Sequence, residues 1–313
     1  MQRTRLEGNF RKRLCIERWK VRKILKPLEH LTSIYGVGLR REHYPYLLEK
    51  PDTDIDWFEV ISENYMNTEG RPMSVLESIR KDYPVACHGV GMSLGSATGI
   101  DRKYLKDLKR LIERVEPFLV SDHLAWNDRN GIRLHELIPV PYHEECLEAI
   151  TKNIDNVQNE LHRQIAVENI SAYFNYTSSS MSECEFVSQL VRRTGCLLLL
   201  DINNIYVNAK NFHFDPMDFV RSIPKESIAQ IHLAGFTDMG NFLFDTHAEP
   251  VHQEVWNLFE TSLAYIPENV PIMIEWDEDV PEFYRLEEEL NKARKIVKRG
   301  HKNEAEKTSE SVL

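Results

Sequence analysis

The stretch Cys196-Leu197-Leu198-Leu199-Leu200-Asp201-Ile202-Asn203-Asn204 holds the pattern that decides the fold: an apolar run of strand length that stops abruptly at an acid and two amides. The run is far shorter than the roughly 20 apolar residues a membrane helix needs. Its uninterrupted apolar character suits a parallel strand covered on both faces. Outward from it, the same signature recurs at Ile34 to Leu39, Trp57 to Ile61, Val85 to His88, Phe118 to His123, Ile165 to Glu168, Ile228 to Leu233 and Ile272 to Glu275. With Leu197 to Asp201 these make eight short strands, each followed by enough chain for a crossover helix.

Helical periodicity fills the gaps. From Asp101 to Val115 the residues Leu105, Leu108, Leu111, Ile112 and Val115 recur at three-to-four spacing behind an Asp101 N-cap. Similar patterns cover His143 to Leu161, Ser182 to Arg193, Val251 to Tyr265 and Pro281 to Ile296. Eight β/α units in about 265 residues predict an α/β protein with a single (β/α)8 TIM-barrel domain over 34–298. A doubly wound open sheet is the alternative. However, Gly36-Val37-Gly38 lies in or at the end of the first strand and lacks the third glycine of a phosphate-binding turn. A basic extension, 1–33, with clusters at Arg11-Lys12-Arg13 and Arg22-Lys23, precedes the barrel, and a polar tail, 299–313, is expected to be poorly ordered.

Composition narrows the function classes. With 39 Lys plus Arg against 49 Asp plus Glu, the net charge of −10 argues against a dedicated nucleic-acid surface. The basic start is not followed by the apolar region and cleavage site of a signal peptide, so a cytoplasmic protein without a membrane span is expected. Cys15, Cys87, Cys146, Cys184 and Cys196 form no C-x-x-C pair and no disulfide framework, as in a reducing compartment. Cys87 should point away from His88, into the layer between barrel and helices.

The strand ends carry the chemistry. In order they read Glu63-Asn64, His88, Asp122-His123, Glu168-Asn169, Asp201 with Asn203 and Asn204, His232 and Glu275-Trp276-Asp277, and a long loop adds Asp245-Thr246-His247. In a TIM barrel all of these reach one face. So many ionisable groups buried together are costly unless cations neutralise the carboxylates, which points to metal. Imidazole and carboxylate without thiolate suit Fe(II), Mn(II), Zn(II) or Co(II), and the number of groups exceeds what one ion needs.

These segments resemble a bacterial family of multinuclear non-haem iron dependent oxidases of the methanobactin-biosynthesis-oxidase type. The resemblance runs from Gly36 past Glu275. It is carried by Gly36-Val37-Gly38-Leu39-Arg40 with Glu42-His43-Tyr44, Phe58-Glu59-Val60 leading to Glu63-Asn64-Tyr65, and Cys87-His88-Gly89-Val90-Gly91-Met92-Ser93-Leu94-Gly95. Ser121-Asp122-His123-Leu124, Val167-Glu168-Asn169, Leu200-Asp201-Ile202-Asn203-Asn204, Ile231-His232-Leu233-Ala234-Gly235, Asp245-Thr246-His247 and Ile274-Glu275-Trp276 complete it. It implies a barrel holding two or three iron ions, with zinc or manganese as alternatives, that uses dioxygen to oxidise cysteines of a ribosomally made precursor peptide presented by a small partner protein. It also implies a metal shell of His88, His123, Glu168, Asp201, Asn204, His232, Asp245, His247 and Glu275, with Glu168 bridging ions and Glu168, Asp201 and His232 closest to the chemistry. Arg40, Glu63, Asn64, Asp122, Asn169 and Asn203 are candidates for orienting the peptide or the ligands. The chain departs from some relatives, which have His in place of Ile61 or Asn204. Two other readings stand beside this one. A metal-dependent sugar isomerase or phosphoesterase would share fold and face, and a non-catalytic metal-binding scaffold would hold its ions saturated.

Overall fold

The computed structural model describes residues 34–129 and 132–310, so the basic extension 1–33 lies outside the described residues. Eight parallel strands, β1 (Tyr35–Gly38), β2 (Trp57–Ile61), β3 (Val85–Gly89), β4 (Val120–His123), β7 (Ala166–Glu168), β8 (Leu197–Asp201), β9 (Ile228–Leu233) and β12 (Ile272–Ile274), close into a barrel in that order. All eight correspond to the strands expected from sequence. Two antiparallel hairpins are added: β5 (Trp126–Arg129) with β6 (Ile132–Ile138), and β10 (Thr237–Asp238) with β11 (Leu243–Phe244).

The helices are α1 (Tyr44–Leu48), α2 (Arg71–Ile79), α3 (Arg102–Val115), α4 (Glu144–Leu161), α5 (Glu183–Thr194), α6 (Ile202–Phe212), α7 (Pro216–Ser222), α8 (Gln253–Ser262) and α9 (Phe283–Glu310). Their starts follow from local chemistry. Asp101 accepts the Lys103 N–H, His143 Nδ1 accepts the Cys146 N–H, and Ser182 with Glu185 forms a reciprocal capping box. The last helix continues to Glu310, past the boundary at 299 where the sequence suggests a poorly ordered tail. No proline interrupts 301–310, and its Lys, Glu and Ala residues are good helix formers.

Side-chain alternation along the strands sorts the barrel interior into layers. Trp57, Ala86, Ala166, Leu199 and Met273 pack at the amino-terminal end of the barrel, with Phe118 and Leu119 beside them. Two residues further along the same inward faces stand Glu59, His88, Glu168, Asp201 and Glu275. The outward residues Phe58, Val60, Cys87, Val120, Val167 and Ile231 join the core under the helices. One layer therefore excludes water from below, and the layer above it is polar. Gly36 leaves the space that the Trp57 indole occupies, since a Cβ there would overlap the ring. Gly36→Ala is accordingly expected to destabilise the barrel by about 1–3 kcal/mol, the usual cost of overpacking. Denaturant unfolding reads it, and an unchanged midpoint would mean that the indole can move aside.

Candidate metal centre

The barrel register brings the ligands to one level. His88 pairs with Ser121, His123 with Glu168, and Asp201 with His232 across neighbouring strands. Period-two alternation then aims these side chains inward together. Above them lies a pocket of about 260 Å³ whose walls include His88, His123, Glu168, Asn204, Asp245, His247 and Glu275, with Ile61, Val90, Leu137 and Ile170 as apolar neighbours.

Among the described residues, three overlapping groups of candidate ligand atoms result. They are His88, His123 and Glu168; then Glu168, Asp201, His232 and Glu275; then His247, Glu275 and Asp277. Glu168 belongs to the first two and Glu275 to the last two, so shared carboxylates link the groups into a chain.

The first group has the spacing of a metal face. His88 Nε2 and His123 Nε2 are 3.3 Å apart, and they lie 3.2 and 3.4 Å from Glu168 Oε2. Ligands at about 2.0–2.1 Å from one ion in tetrahedral directions stand about 3.3–3.4 Å from one another. The ring orientations agree. His123 Nδ1 lies 3.1 Å from the Gly89 carbonyl, which can only accept, so it is the protonated nitrogen and Nε2 presents its lone pair. His88 Nδ1 is 2.8 Å from Ser121 Oγ, a hydroxyl able to accept its proton in the tautomer that leaves Nε2 free. Burial lowers the His123 pKa and favours the neutral, ligating form.

The second group has the support expected of a carboxylate–histidine–metal relay. His232 Nε2 is 3.0 Å from Glu59 Oε1, while Gln230 donates to the other oxygen of Glu59 at 2.6 Å. His232 Nδ1 thereby faces Glu275 Oε2 at 2.9 Å and Glu168 Oε1 at 3.5 Å. Apart from this ion-pair approach to each other, neither His232 Nδ1 nor Glu275 Oε2 makes a well-directed hydrogen bond among the described residues, although both are buried. The same is true of Glu168 Oε2, Asp201 Oδ2 and Asn204 Oδ1. Buried polar atoms are normally paired, so a cluster of orphaned lone pairs converging on one space fits cations. Asp201 uses its other oxygen to cap α6 through the Asn204 N–H at 2.6 Å.

The third group joins His247, on the loop after β11, to Glu275 and Asp277 beyond β12. His247 has φ 50°, and its backbone is pinned between the Gly235 carbonyl at 3.2 Å and the Asp277 N–H at 2.9 Å. Asp245 Oδ1 lies 2.7 Å from His247 Nε2 and accepts from Asn203 at 2.7 Å.

Electrostatics show what the carboxylates impose when only protons neutralise them. Burial opposes charge on His232, but Glu275, Glu59 and Glu168 hold its pKa well above the ordinary imidazole value. His247 is buried too, and Asp245 and Glu275 hold it up in the same way. Burial, reinforced by Glu168 and Asp245, pushes Asp201 well above the usual carboxylate range. Burial works to raise Glu275 as well, but His232 and His247 overturn it and keep its carboxyl well below that range. The metal-free centre thus holds protons on His232, His247 and Asp201 more tightly than ordinary side chains of those kinds do. Loading a divalent cation is expected to release them, so apparent affinity should rise with pH. Calorimetric titration in buffers of different ionisation enthalpy counts these protons, and an affinity constant between about pH 6 and 8 would contradict their presence.

All nine ligands expected from sequence come together here, Asn204 through the wall of the pocket and Asp245 beside His247. Of the six supporting residues, Asn169 exchanges two 3.0 Å hydrogen bonds with the Asp201 backbone. Asn203 holds Asp245, and Arg40 holds Asp277 and the Trp276 carbonyl. The others serve elsewhere. Glu63 and Asp122 share the Tyr104 hydroxyl, at 2.6 and 3.3 Å, and anchor the Val90 and Met92 N–H groups of the loop after β3. Asn64 is exposed on the 3-10 turn after β2 and lies outside the pocket lining, because that turn carries its side chain away from the barrel mouth. Sequence reasoning missed Glu59, Gln230 and Ser121 as supports and Asp277 as a candidate ligand. Glu59 had a signal, since it is the one acid inside the apolar strand Trp57-Phe58-Glu59-Val60-Ile61. Cys87 is buried behind the barrel wall, where burial pushes its thiol up to about 12, and none of the three ligand groups contains a cysteine.

Residues 34–298 match the family described as RiPP precursor modification enzyme MbnB/TglH/ChrH. A UPF0276 protein of Caulobacter vibrioides is 45% identical over 260 residues, covering 83% of this chain and 92% of the relative. One from Rhizorhabdus wittichii is 46% identical over 266 residues, covering 85% and 95%. Among solved structures, L-ribulose 3-epimerase superposes with a TM-score of 0.58 at 13% identity, over 90% of this chain and 98% of that one. The IOLI protein with a binding zinc atom gives 0.52 at 15% identity, over 85% and 97%. At such identities the structural likeness establishes the barrel fold alone.

Proposed function

The chain belongs to the RiPP precursor modification enzyme family MbnB/TglH/ChrH, and from that premise we propose that it is a multinuclear iron-dependent oxidase acting with dioxygen on cysteine residues of a ribosomally made precursor peptide. The observation that carries the multinuclear part is the sharing of Glu168 and Glu275 among three ligand groups. Iron is favoured by imidazole and carboxylate donors without thiolate, in a centre whose anionic charge also suits a higher oxidation state. Bound iron would supply the electrons that reduce dioxygen and a Lewis acid for the substrate thiolate.

The protein's own residues do the rest. His88, His123 and Glu168 hold one end of the centre, Asp201 and His232 its floor, and His247 and Asp277 its outer end. Ile61, Val90, Leu137 and Ile170 form the apolar part of the pocket and limit water around a bound thiol. Asp245 is positioned beside the pocket by Asn203 and by Ser171, whose hydroxyl donates to it at 3.0 Å. A separate partner protein that presents the peptide is part of this reading.

The test is aerobic incubation of the iron-loaded protein with cysteine-containing precursor peptides encoded near its gene, with the partner supplied, followed by mass spectrometry and oxygen-electrode recording. A mass change localised to cysteine and matched by oxygen uptake is expected. Peptide modification without oxygen uptake would overturn the oxidase assignment while leaving the peptide substrate standing.

A further inference from the structure

The loop between β7 and α5 separates two cavities. One side of it, Ile170 and Ser171, lines the metal pocket. Immediately downstream, Ala172, Asn175 and Ser179 line a second cavity of about 510 Å³, whose lining also includes Phe214 and, on α7, Phe219. This volume is in the range of ligand sites, and its surface is mainly apolar, with Asn175, Ser179, Ser182, Glu183 and Asp218 as the polar residues. Glu183, the first residue of α5, contributes a carboxyl that accepts from Asn208 at 3.3 Å. Burial lifts its pKa to about 7, so near neutrality Glu183 is only partly ionised, and Asp218 adds a second carboxyl to the lining. Phe174 on the intervening loop is 46% exposed and Phe214 at the rim is 37% exposed. Phe174 packs edge-on against the half-buried Tyr176, so this stretch of loop presents an aromatic pair next to the cavity-lining residues.

We propose that this second cavity is an anchoring subsite for an aromatic or large aliphatic side chain of the peptide substrate, entered while a neighbouring residue of the same peptide occupies the metal pocket. The proposal rests on the peptide-modifying reading above. Continuity of the loop sets the spacing. Ser171 and Asn175 are four residues apart in the chain, hence no more than about 14 Å, which an extended peptide also spans in about four residues. The anchor therefore lies within about four residues of the modified position. An occupied anchor would also press on the loop that steadies the centre, since Ser171 donates to the Asp245 carboxylate and the Tyr173 hydroxyl accepts the Asp245 N–H at 3.1 Å.

The experiment uses dansyl-labelled heptapeptides of Gly and Ser containing one Cys, with Phe or Ser placed two to five residues away, and reads binding to the metal-loaded protein by fluorescence polarisation without air. The Phe peptides are expected to bind about tenfold more tightly than the Ser peptides at the preferred spacing, as an inserted aromatic anchor would. Asn175→Trp, which fills the mouth from an exposed position, and Phe214→Ala, which removes a wall, should each erase that difference while metal content stays unchanged. Equal binding of Phe and Ser peptides to the wild type, or a Phe preference that survives Asn175→Trp, would overturn the subsite. Failure of the parent reading looks different: Phe-dependent binding would persist, but precursor peptides would show no change in mass after aerobic incubation.

Discussion

Glu168→Ala should lose two of the three ligand groups at once, because its carboxylate serves both His88 with His123 and Asp201 with His232 and Glu275. Metal content is expected to fall to at most one ion per chain, and peptide modification to drop below detection. Stability should separate the two roles of the residue. Burial pushes the Glu168 pKa up, against the pull of His88 and His232, so the metal-free fold gains little from its charge. The metal-free variant should therefore unfold close to the wild type. Adding metal stabilises the wild type by preferential binding to the folded state, by about 2.7 kcal/mol at a hundredfold excess over the dissociation constant. The variant should lose most of that increment. Differential scanning fluorimetry with and without metal reads both numbers. A metal-dependent shift equal to that of the wild type would remove Glu168 from the centre. His88→Ala, confined to one group, should lose less metal than Glu168→Ala.

Glu59→Ala is expected to be the most damaging change that touches no proposed ligand position directly. It strips the buried partner from His232 Nε2 and from the Gln230 amide at the same time. Burial works to raise the Glu59 pKa, but His232 overcomes it and holds the carboxyl low, so the pair is ionised in the metal-free protein. Breaking a buried pair of this kind costs about 3–5 kcal/mol. Loss of an outer partner that orients a metal-bound imidazole lowers metal affinity by about 10–100-fold. Glu59→Gln should restore much of the packing and little of the affinity. Competition with a chromogenic chelator measures the affinity, and a Glu59→Gln protein that binds metal as tightly as the wild type would mean that the carboxylate only fills space.

The barrel was legible because parallel strands buried on both faces are written as continuous apolar runs, and seven of the eight ended in residues that ionise or coordinate. Those ends also named the residues that the structure brings together, since the carboxyl ends of barrel strands converge whatever loops follow. Glu59 was not legible by the same rule. It lies two residues before the strand end, and only the alternation that places Trp57 and Ile61 on the inner face puts it beneath His232. Asp277 escaped because it follows the last strand and is steered into place by Arg40, a contact across 237 residues of sequence. Glu63 and Asp122 stand at strand ends, yet they turn toward Tyr104 to brace the loop after β3, where Gly89 leaves room for the Asp122 carboxylate. The β5–β6 hairpin, whose Leu137 reaches the metal pocket, had a sequence signal in the Asn130-Gly131 dipeptide between two strand-like runs. A reading organised around helices after every strand passed over it.

The most direct test of the central claim is elemental analysis of protein purified without air, joined to Mössbauer spectroscopy of a sample enriched in iron-57. Two or three irons per chain are predicted, matching the linked ligand groups, with magnetically coupled signals that disappear in Glu168→Ala. A single uncoupled iron, or stoichiometric zinc that survives the Glu168 substitution, would contradict a multinuclear iron centre bridged by this carboxylate.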